Sequence, residues 1–242
     1  MKNAISDENT AGYVSISDEE AAREVVKKVI GGLWEAVNEL TRLRPTRRER
    51  YQVSIFGSAR VAPGNPYYEE VRRLARALAE LDCNIITGGG PGMMQAANEG
   101  ASEVDAGHLD RSVGIRIDLP FEQDANPFVQ SAFEHKTFFT RLHHFVLVSD
   151  AFVVVPGGIG TVLESMMVWQ LLQVRHVTNT PLIFIGDMWR ELVEWGRTYM
   201  LRENFQLASP EDFDIPVCAS TVEEVIEVVE ASRERWQSEA QN

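Results

Sequence analysis

Two hydrophobic rhythms divide the chain. From Ser17 to about Leu43, apolar residues recur at helical spacing: Ala22, Val25, Val26, Val29, Ile30, Leu33, Val37 and Leu40. That spacing gathers them on one stripe of an amphipathic helix. Ser17 with Glu20 three residues on has the form of a capping box, and the acids of SDEE suit the positive end of a helix dipole. Gly31 and Gly32 offer a place to bend. A stripe of this kind needs a surface to cover, in its own chain or in a second subunit.

Beyond residue 50 the pattern becomes short apolar runs separated by helical segments. The runs occupy residues 53 to 57, 84 to 87, 113 to 117, 152 to 155 and 182 to 185, with a weaker one at 216 to 219. Helical spacing fills 66 to 81, 91 to 104, 137 to 149, 161 to 174, 188 to 201 and 221 to 236. Runs such as FVVV and LIFI are too continuous for a sheet with one wet face, so they read as parallel strands covered on both faces by crossover helices. The predicted class is α/β: a Rossmann-like doubly wound parallel sheet with helices on both faces and an extra N-terminal helix. The predicted divisions are a mobile tail over 1–16, the helix and a basic linker over 17–50, and the Rossmann-like domain over 51–242. In such sheets ligands bind at the carboxyl ends of the strands, near a switch in strand order.

Composition narrows the partners. The chain has 242 residues, 44% apolar and 24% charged, enough to bury a core. Its formal charge of −13 opposes a nucleic-acid surface, which needs an excess of cations to neutralise phosphates. The arginine-rich TRLRPTRRER therefore reads as a solvated linker in preference to an anion site. Cys83 and Cys218 lie in apolar runs, too few and too far apart for a zinc ribbon or disulfide framework, and read as reduced core thiols. No apolar stretch reaches the roughly 20 residues that span a bilayer. The polar opening MKNAISDENT lacks a signal peptide's apolar stretch, so a cytoplasmic location is expected.

Three predicted strand ends carry unusual chemistry: Phe56-Gly57-Ser58-Ala59-Arg60, Thr87-Gly88-Gly89-Gly90-Pro91-Gly92-Met93-Met94 and Pro156-Gly157-Gly158-Ile159-Gly160-Thr161. The latter two run directly into helices, whose first turns have unpaired backbone N–H groups that favour an anion. A P-loop needs a lysine that neither supplies, and the dinucleotide fingerprint fails at Met93, where a third glycine belongs. A single phosphate, as in a nucleoside or sugar monophosphate, demands less and fits. Thr161 and Glu164 admit two readings: a side chain leaning back toward a ligand on the loop, or the T-x-x-E capping box, and spacing leaves both open. Arg141 in TFFTRLHHFVLV borders a stripe of Phe138, Leu142 and Phe145, either paired near a cleft or snorkelling at the core's rim.

Other chemistry is thin. His143 and His144 are adjacent and point about 100° apart on a helix, so they cannot share a metal as i, i+4 residues do. Of four lysines, only Lys136 falls within the sheet region, which disfavours Schiff-base chemistry. Met166, Met167, Trp169 and Gln170 read as core or subunit contact.

Taken together, SIFGSAR, TGGGPGMMQAANEGA, the arginine of TRLHHF and above all PGGIGTVLE resemble the LOG family, cytokinin riboside 5′-monophosphate phosphoribohydrolases often labelled lysine decarboxylase-like. The resemblance implies a Rossmann-like homo-oligomer that hydrolyses the N-glycosidic bond of adenosine-type nucleoside 5′-monophosphates, AMP or N6-substituted cytokinin nucleotides, to free base and ribose 5-phosphate. It implies Glu164 and Arg141 as catalytic residues and Gly157, Gly158, Gly160 and Thr161 as the phosphate loop, with no metal or redox cofactor. Gly57, Ser58, Gly88, Gly89, Gly90, Gly92 and Met93 are expected to line the nucleotide pocket. One departure stands out: where the family has Arg-Lys, this chain has Arg141-Leu142. Molybdenum-cofactor carrier proteins resemble the same glycine-loop architecture and supply the alternative, a binding protein without turnover.

Overall fold

A computed structural model of the chain describes residues 18–40, 49–104, 111–118 and 125–239. The contacts divide the chain into two units, Met1–Pro45 and Thr46–Asn242. The first carries helix α1 (Glu19–Leu40), which runs without interruption through Gly31 and Gly32. The Asp18 carboxylate accepts from the Ala21 N–H at 3.0 Å, so Asp18 caps this helix. Ser17, the predicted cap, lies outside the described residues, as do the predicted tail and linker residues 41 to 48. Val25, Val26, Val29 and Ile30 on α1 are exposed.

The second unit contains strands β1 (Tyr51–Phe56), β2 (Cys83–Thr87), β3 (Ser112–Ile117), β4 (Ser131–His135), β5 (Ala151–Val154), β6 (Leu182–Ile185), β7 (Leu201–Arg202), β8 (Phe205–Gln206) and β9 (Pro216–Ala219). Its helices are α2 (Pro66–Glu80), α3 (Met93–Ser102), α4 (Phe138–Val148), α5 (Ile159–Gln173), α6 (Asp187–Met200) and α7 (Val222–Glu239). Seven strands form one sheet in the order β4-β3-β2-β1-β5-β6-β9, every pairing parallel, while β7 and β8 make a separate antiparallel ribbon. This is the α/β, Rossmann-like sheet that the runs predict. All six apolar runs are strands. Missing from the sequence reading are β4, whose Ala132, Phe133 and Glu134 are exposed as suits an edge strand, and the two-residue strands of the ribbon.

Both sheet faces are covered, and alternate strand residues feed the two layers. Val53, Ile55, Ile85 and Val153 pack with α2, α3 and α7 through Leu74, Ala97 and Val225. Phe56, Ile86, Phe152 and Val154 pack with α4, α5 and α6 through Phe145, Val168 and Trp189. Helix α2 shows how sequence dictates an element: Asn65 accepts from the Tyr67 N–H, Pro66 fills the first turn, and Tyr68, Val71, Leu74, Ala75 and Leu78 form its buried stripe. Cys83 and Cys218 are unbridged, and burial pushes the Cys83 thiol up to about 12, well into the unreactive range.

The strand order reverses between β1 and β5. From β1 the chain moves toward β2, from β5 toward β6, and the helices that follow lie on opposite faces. A crevice therefore opens between the carboxyl ends of β1 and β5.

Candidate functional site

The three glycine loops converge on that crevice. Ser58 fastens them: its N–H donates to the Pro156 carbonyl at 3.2 Å, and its own carbonyl accepts from the Met93 N–H at 2.8 Å. Gly92 adopts φ +71°, and a Cβ there would collide with the Ser58 carbonyl oxygen and the Ala59 backbone, so the loop closes only with glycine. A Cβ on Gly57 would meet Val155 Cγ2 at 2.5 Å and Met93 Cβ at 2.9 Å. Met93, expected to line the pocket, lies at this same contact. Its side chain is buried beneath Gly57 and its N–H is already engaged.

Met94 takes the accessible position. Built on Gly88, a Cβ would run into Arg141 Nη2 and lie 2.7 Å from Met94 Sδ, and one on Gly90 would lie 2.8 Å from Met94 Cε. A buried polar network holds this loop from behind. The fully buried Asn98 side chain accepts from Thr87 Oγ1 at 2.6 Å and from Asn126 Nδ2 at 3.0 Å, and donates to Ser112 Oγ at 2.8 Å. Asn126 donates its N–H to the Gly89 carbonyl and its Nδ2 to the Gly90 carbonyl, each at 2.9 Å. Two loop carbonyls are thereby turned away from the crevice. Sequence reasoning missed both asparagines. Asn98, set among small residues in MMQAANEGA, carried a signal as a polar residue on an otherwise buried helix, whereas Asn126 lies in a segment without periodicity.

Helix α5 begins two residues earlier than the spacing predicts, with Gly158 as its N-cap and no side chain capping it. The first helical bond runs from the Val162 N–H to the Gly158 carbonyl at 3.0 Å. The N–H groups of Ile159, Gly160 and Thr161 have no partner among the described residues. Gly158, Ile159 and Gly160 are exposed, and nothing lies within 4 Å of a Cβ placed on either glycine, so the backbone at this helix start is open to a ligand. Thr161 is the third helical residue and its side chain is buried against Gly157, leaving its backbone N–H as what it offers. The capping-box reading of Thr161 and Glu164 therefore fails: Thr161 is not the cap, and the carboxylate turns elsewhere.

It turns to Arg141. Arg141 Nη1 donates to Glu164 Oε1 at 2.8 Å, and Arg141 Nε donates to the Ile115 carbonyl at 2.8 Å. The guanidinium lies over the Phe145 ring, 5.3 Å from its centroid. Both charged side chains are about one-tenth exposed, 11% and 12%, which excludes the snorkelling reading of Arg141. Burial pushes the Glu164 carboxyl above the ordinary carboxylate range, and attraction and hydrogen bonding from Arg141 oppose this without cancelling it. A buried carboxyl with a raised proton affinity, beside exposed helix N–H donors, combines a proton-exchanging group with an anion anchor. Leu142 is buried.

Elsewhere, His135 Nε2 and His144 Nδ1 lie 2.9 Å apart, and burial lowers the proton affinity of both. Among the described residues, no group of three or more His, Cys, Asp or Glu side chains is arranged to hold a metal ion. Met166, Met167 and Trp169 pack half-buried against the second core layer, Trp169 donating its Nε1–H to the Asp212 carbonyl at 2.7 Å. No described helix is long and apolar enough to cross a membrane.

Residues 94–229 match the protein family described as "Possible lysine decarboxylase". Over 128 residues the chain is 30% identical to the pyrimidine/purine nucleotide 5′-monophosphate nucleosidase of Escherichia coli strain K12, an alignment covering 49% of this chain and 28% of that protein. Among solved structures it is similar to the molybdenum cofactor carrier protein of Chlamydomonas reinhardtii, with a TM-score of 0.57 at 18% identity, covering 76% of this chain and 98% of that one. The molybdenum cofactor binding protein of Rippkaea orientalis aligns with a TM-score of 0.55 at 18% identity over 76% and 98% of the two chains. At such identity these two likenesses establish the fold.

Proposed function

Because the chain belongs to the family described as possible lysine decarboxylases, and a relative matching about half of it is named as a nucleotide nucleosidase, we propose that it hydrolyses the N-glycosidic bond of nucleoside 5′-monophosphates. The observation that carries this reading is the Arg141–Glu164 ion pair beside the uncapped N-terminus of α5. The decarboxylase name finds no support in the lysines: the single lysine of the second unit, Lys136, is exposed at the mouth of α4.

In this mechanism the N–H groups of Ile159, Gly160 and Thr161 bind the 5′-phosphate, aided by the dipole of α5. The anchored phosphate fixes the ribose over Glu164, one helical turn further on. Cleavage of the C1′–N bond leaves positive charge on the sugar ring, which the carboxylate stabilises while it orients and deprotonates the attacking water. Arg141 positions that carboxylate and opposes the upward pull of burial on its proton affinity. The C1′–O bond to water forms as the C1′–N bond breaks, and the electron pair leaves on the base nitrogen. That nitrogen takes up a proton from solvent while Glu164 returns the water's proton to solvent, and free base and ribose 5-phosphate are released. The preferred substrates are AMP and N6-substituted adenine nucleotides, acted on by a homo-oligomer.

Incubation with AMP, other nucleoside monophosphates and N6-substituted AMP, followed by chromatography, tests this. Free base is expected, and Glu164→Gln is expected to lower its release by about 10²-fold or more. Absence of base with every substrate, or full activity in Glu164→Gln, overturns the hydrolase. Binding without turnover would then favour the carrier reading, which the apolar Leu142 beside Arg141 suits better than it suits a hydrolase of the resembled family.

A further inference from the structure

Strand β5 passes into the loop that opens α5 through Val155, Pro156 and Gly157. The peptide between Val155 and Pro156 takes its nitrogen from proline and carries no N–H, so the Val155 carbonyl is the group through which a hydrogen bond can orient it. That carbonyl accepts from the Trp189 Nε1–H at 3.2 Å, inside the protein. Trp189 stands in the first turn of α6, fully buried, with its ring stacked on Phe184 at 5.0 Å between centroids. Gly186, the N-cap of α6, has φ +108°, and a Cβ there would lie 3.1 Å from Pro156 Cγ, so this helix starts close against the proline ring. Beside the segment lies a cavity of about 230 Å³ lined by Leu74, Ile185 and Val222 together with Val155 and Pro156. Packing from that side is incomplete, which gives the hydrogen bonds a larger share in fixing the chain.

Resting on the phosphate anchor proposed above, we infer that Trp189 is a positioning residue: its indole N–H sets the Val155–Pro156 peptide, and with it the direction in which Gly157 and Gly158 bring the first N–H groups of α5 into the crevice. The two glycines are too permissive to impose that direction themselves. The gain is preorganisation, because donors already held in place bind an anion without the cost of first ordering the loop. Trp169 supplies an internal contrast. It packs against the same core layer, its ring also meets Phe184, at 6.0 Å, and its Nε1–H also donates to a carbonyl, but that of Asp212, outside the glycine loops.

Calorimetric titration with inorganic phosphate tests the role in the parent protein, Trp189→Phe, Trp169→Phe, and protein in which Trp189 is replaced by 3-benzothienylalanine, which keeps the bicyclic ring and exchanges only the N–H for sulfur. Both changes at Trp189 are expected to weaken phosphate binding about 3- to 10-fold, the worth of one hydrogen bond, while Trp169→Phe leaves it unchanged. In AMP hydrolysis the benzothienyl protein is expected to show KM raised by the same factor at unchanged kcat, whereas a merely structural defect lowers the active fraction, and so kcat, at unchanged KM. Unchanged phosphate affinity in the benzothienyl protein, an equal loss in Trp169→Phe, or a fall in kcat alone overturns the role of Trp189 and leaves the phosphate anchor standing. Failure of the parent protein to bind phosphate overturns the anchor, and the positioning role with it.

Discussion

Replacing Arg141 by methionine keeps much of the side chain's volume and removes its charge. The ion pair it breaks is about nine-tenths buried on both sides, with the Nη1 to Oε1 distance at 2.8 Å. Breaking such a pair from one side costs about 3–5 kcal/mol at neutral pH, because the remaining charge stays buried without its partner. Part of that cost is independent of pH: the hydrogen bond to the Ile115 carbonyl and the cation over the Phe145 ring contribute roughly 1–2 kcal/mol. The remainder, about 2–3 kcal/mol, belongs to the stranded carboxylate and requires it to be ionised. Glu164 already binds its proton more tightly in the folded chain than the ordinary value of 4.5, through burial, and losing Arg141 removes both influences that hold it down. A carboxyl raised on folding favours the folded state below its unfolded value, and that advantage is lost as pH rises through the folded value. The variant's deficit is therefore small at pH 4 and full at pH 7.5. Urea unfolding of both proteins at the two pH values measures it, and thermal unfolding should give a Tm lower by about 10 °C at pH 7.5. His135 feels the same cation and shifts the difference in the same direction, so the decisive control adds Glu164→Gln, which should abolish the pH dependence that Glu164 contributes. Equal deficits at both pH values, or less than about 1 kcal/mol at pH 7.5, would refute the reasoning.

Gly160→Ala separates the site from the fold: its Cβ enters open space in the first turn of α5, so stability should rise by up to about 1 kcal/mol while the affinity for inorganic phosphate falls. Thermal unfolding and phosphate titration check the two halves, and unchanged phosphate affinity would remove the anchor from this loop. Burial lowers the proton affinity of His135 and His144, so their contribution to stability is present above the ordinary histidine value of 6.5 and is lost as pH falls through their folded values. His144→Phe preserves the contact with the Phe133 ring, at 4.8 Å, and should flatten the decline of Tm between pH 7 and pH 5. An unchanged slope would contradict this.

The strands buried on both faces were legible because continuous apolar runs have one stable solution. The edge strand β4 was not, since SAFEH faces water and carries neither alternation nor a run. The glycine loops were legible for the complementary reason: clusters of glycine at strand ends mark close backbone approach. Which methionine faces the crevice was not, because Met93 and Met94 differ only in helical phase at a loop-to-helix junction, where one residue's offset reverses inside and outside. Spacing also could not decide between Thr161 capping α5 and Glu164 meeting Arg141. The answer depended on where the helix begins, and Gly158 starts it two residues early. The asparagine network behind Gly88–Gly90 has side chains reaching partners up to 36 positions away and is a product of the tertiary fold.

Arg141 and Glu164 lie on helices that flank different arms of the reversed strand order, α4 after β4 and α5 after β5, and neither tolerates the company of water or of oil alone. A lineage drifting away from this chemistry must therefore discard the two ions nearly together. Any descendant that keeps one without the other inherits an interior charge with nothing to answer it, and would betray its history through fragility before it lost its shape.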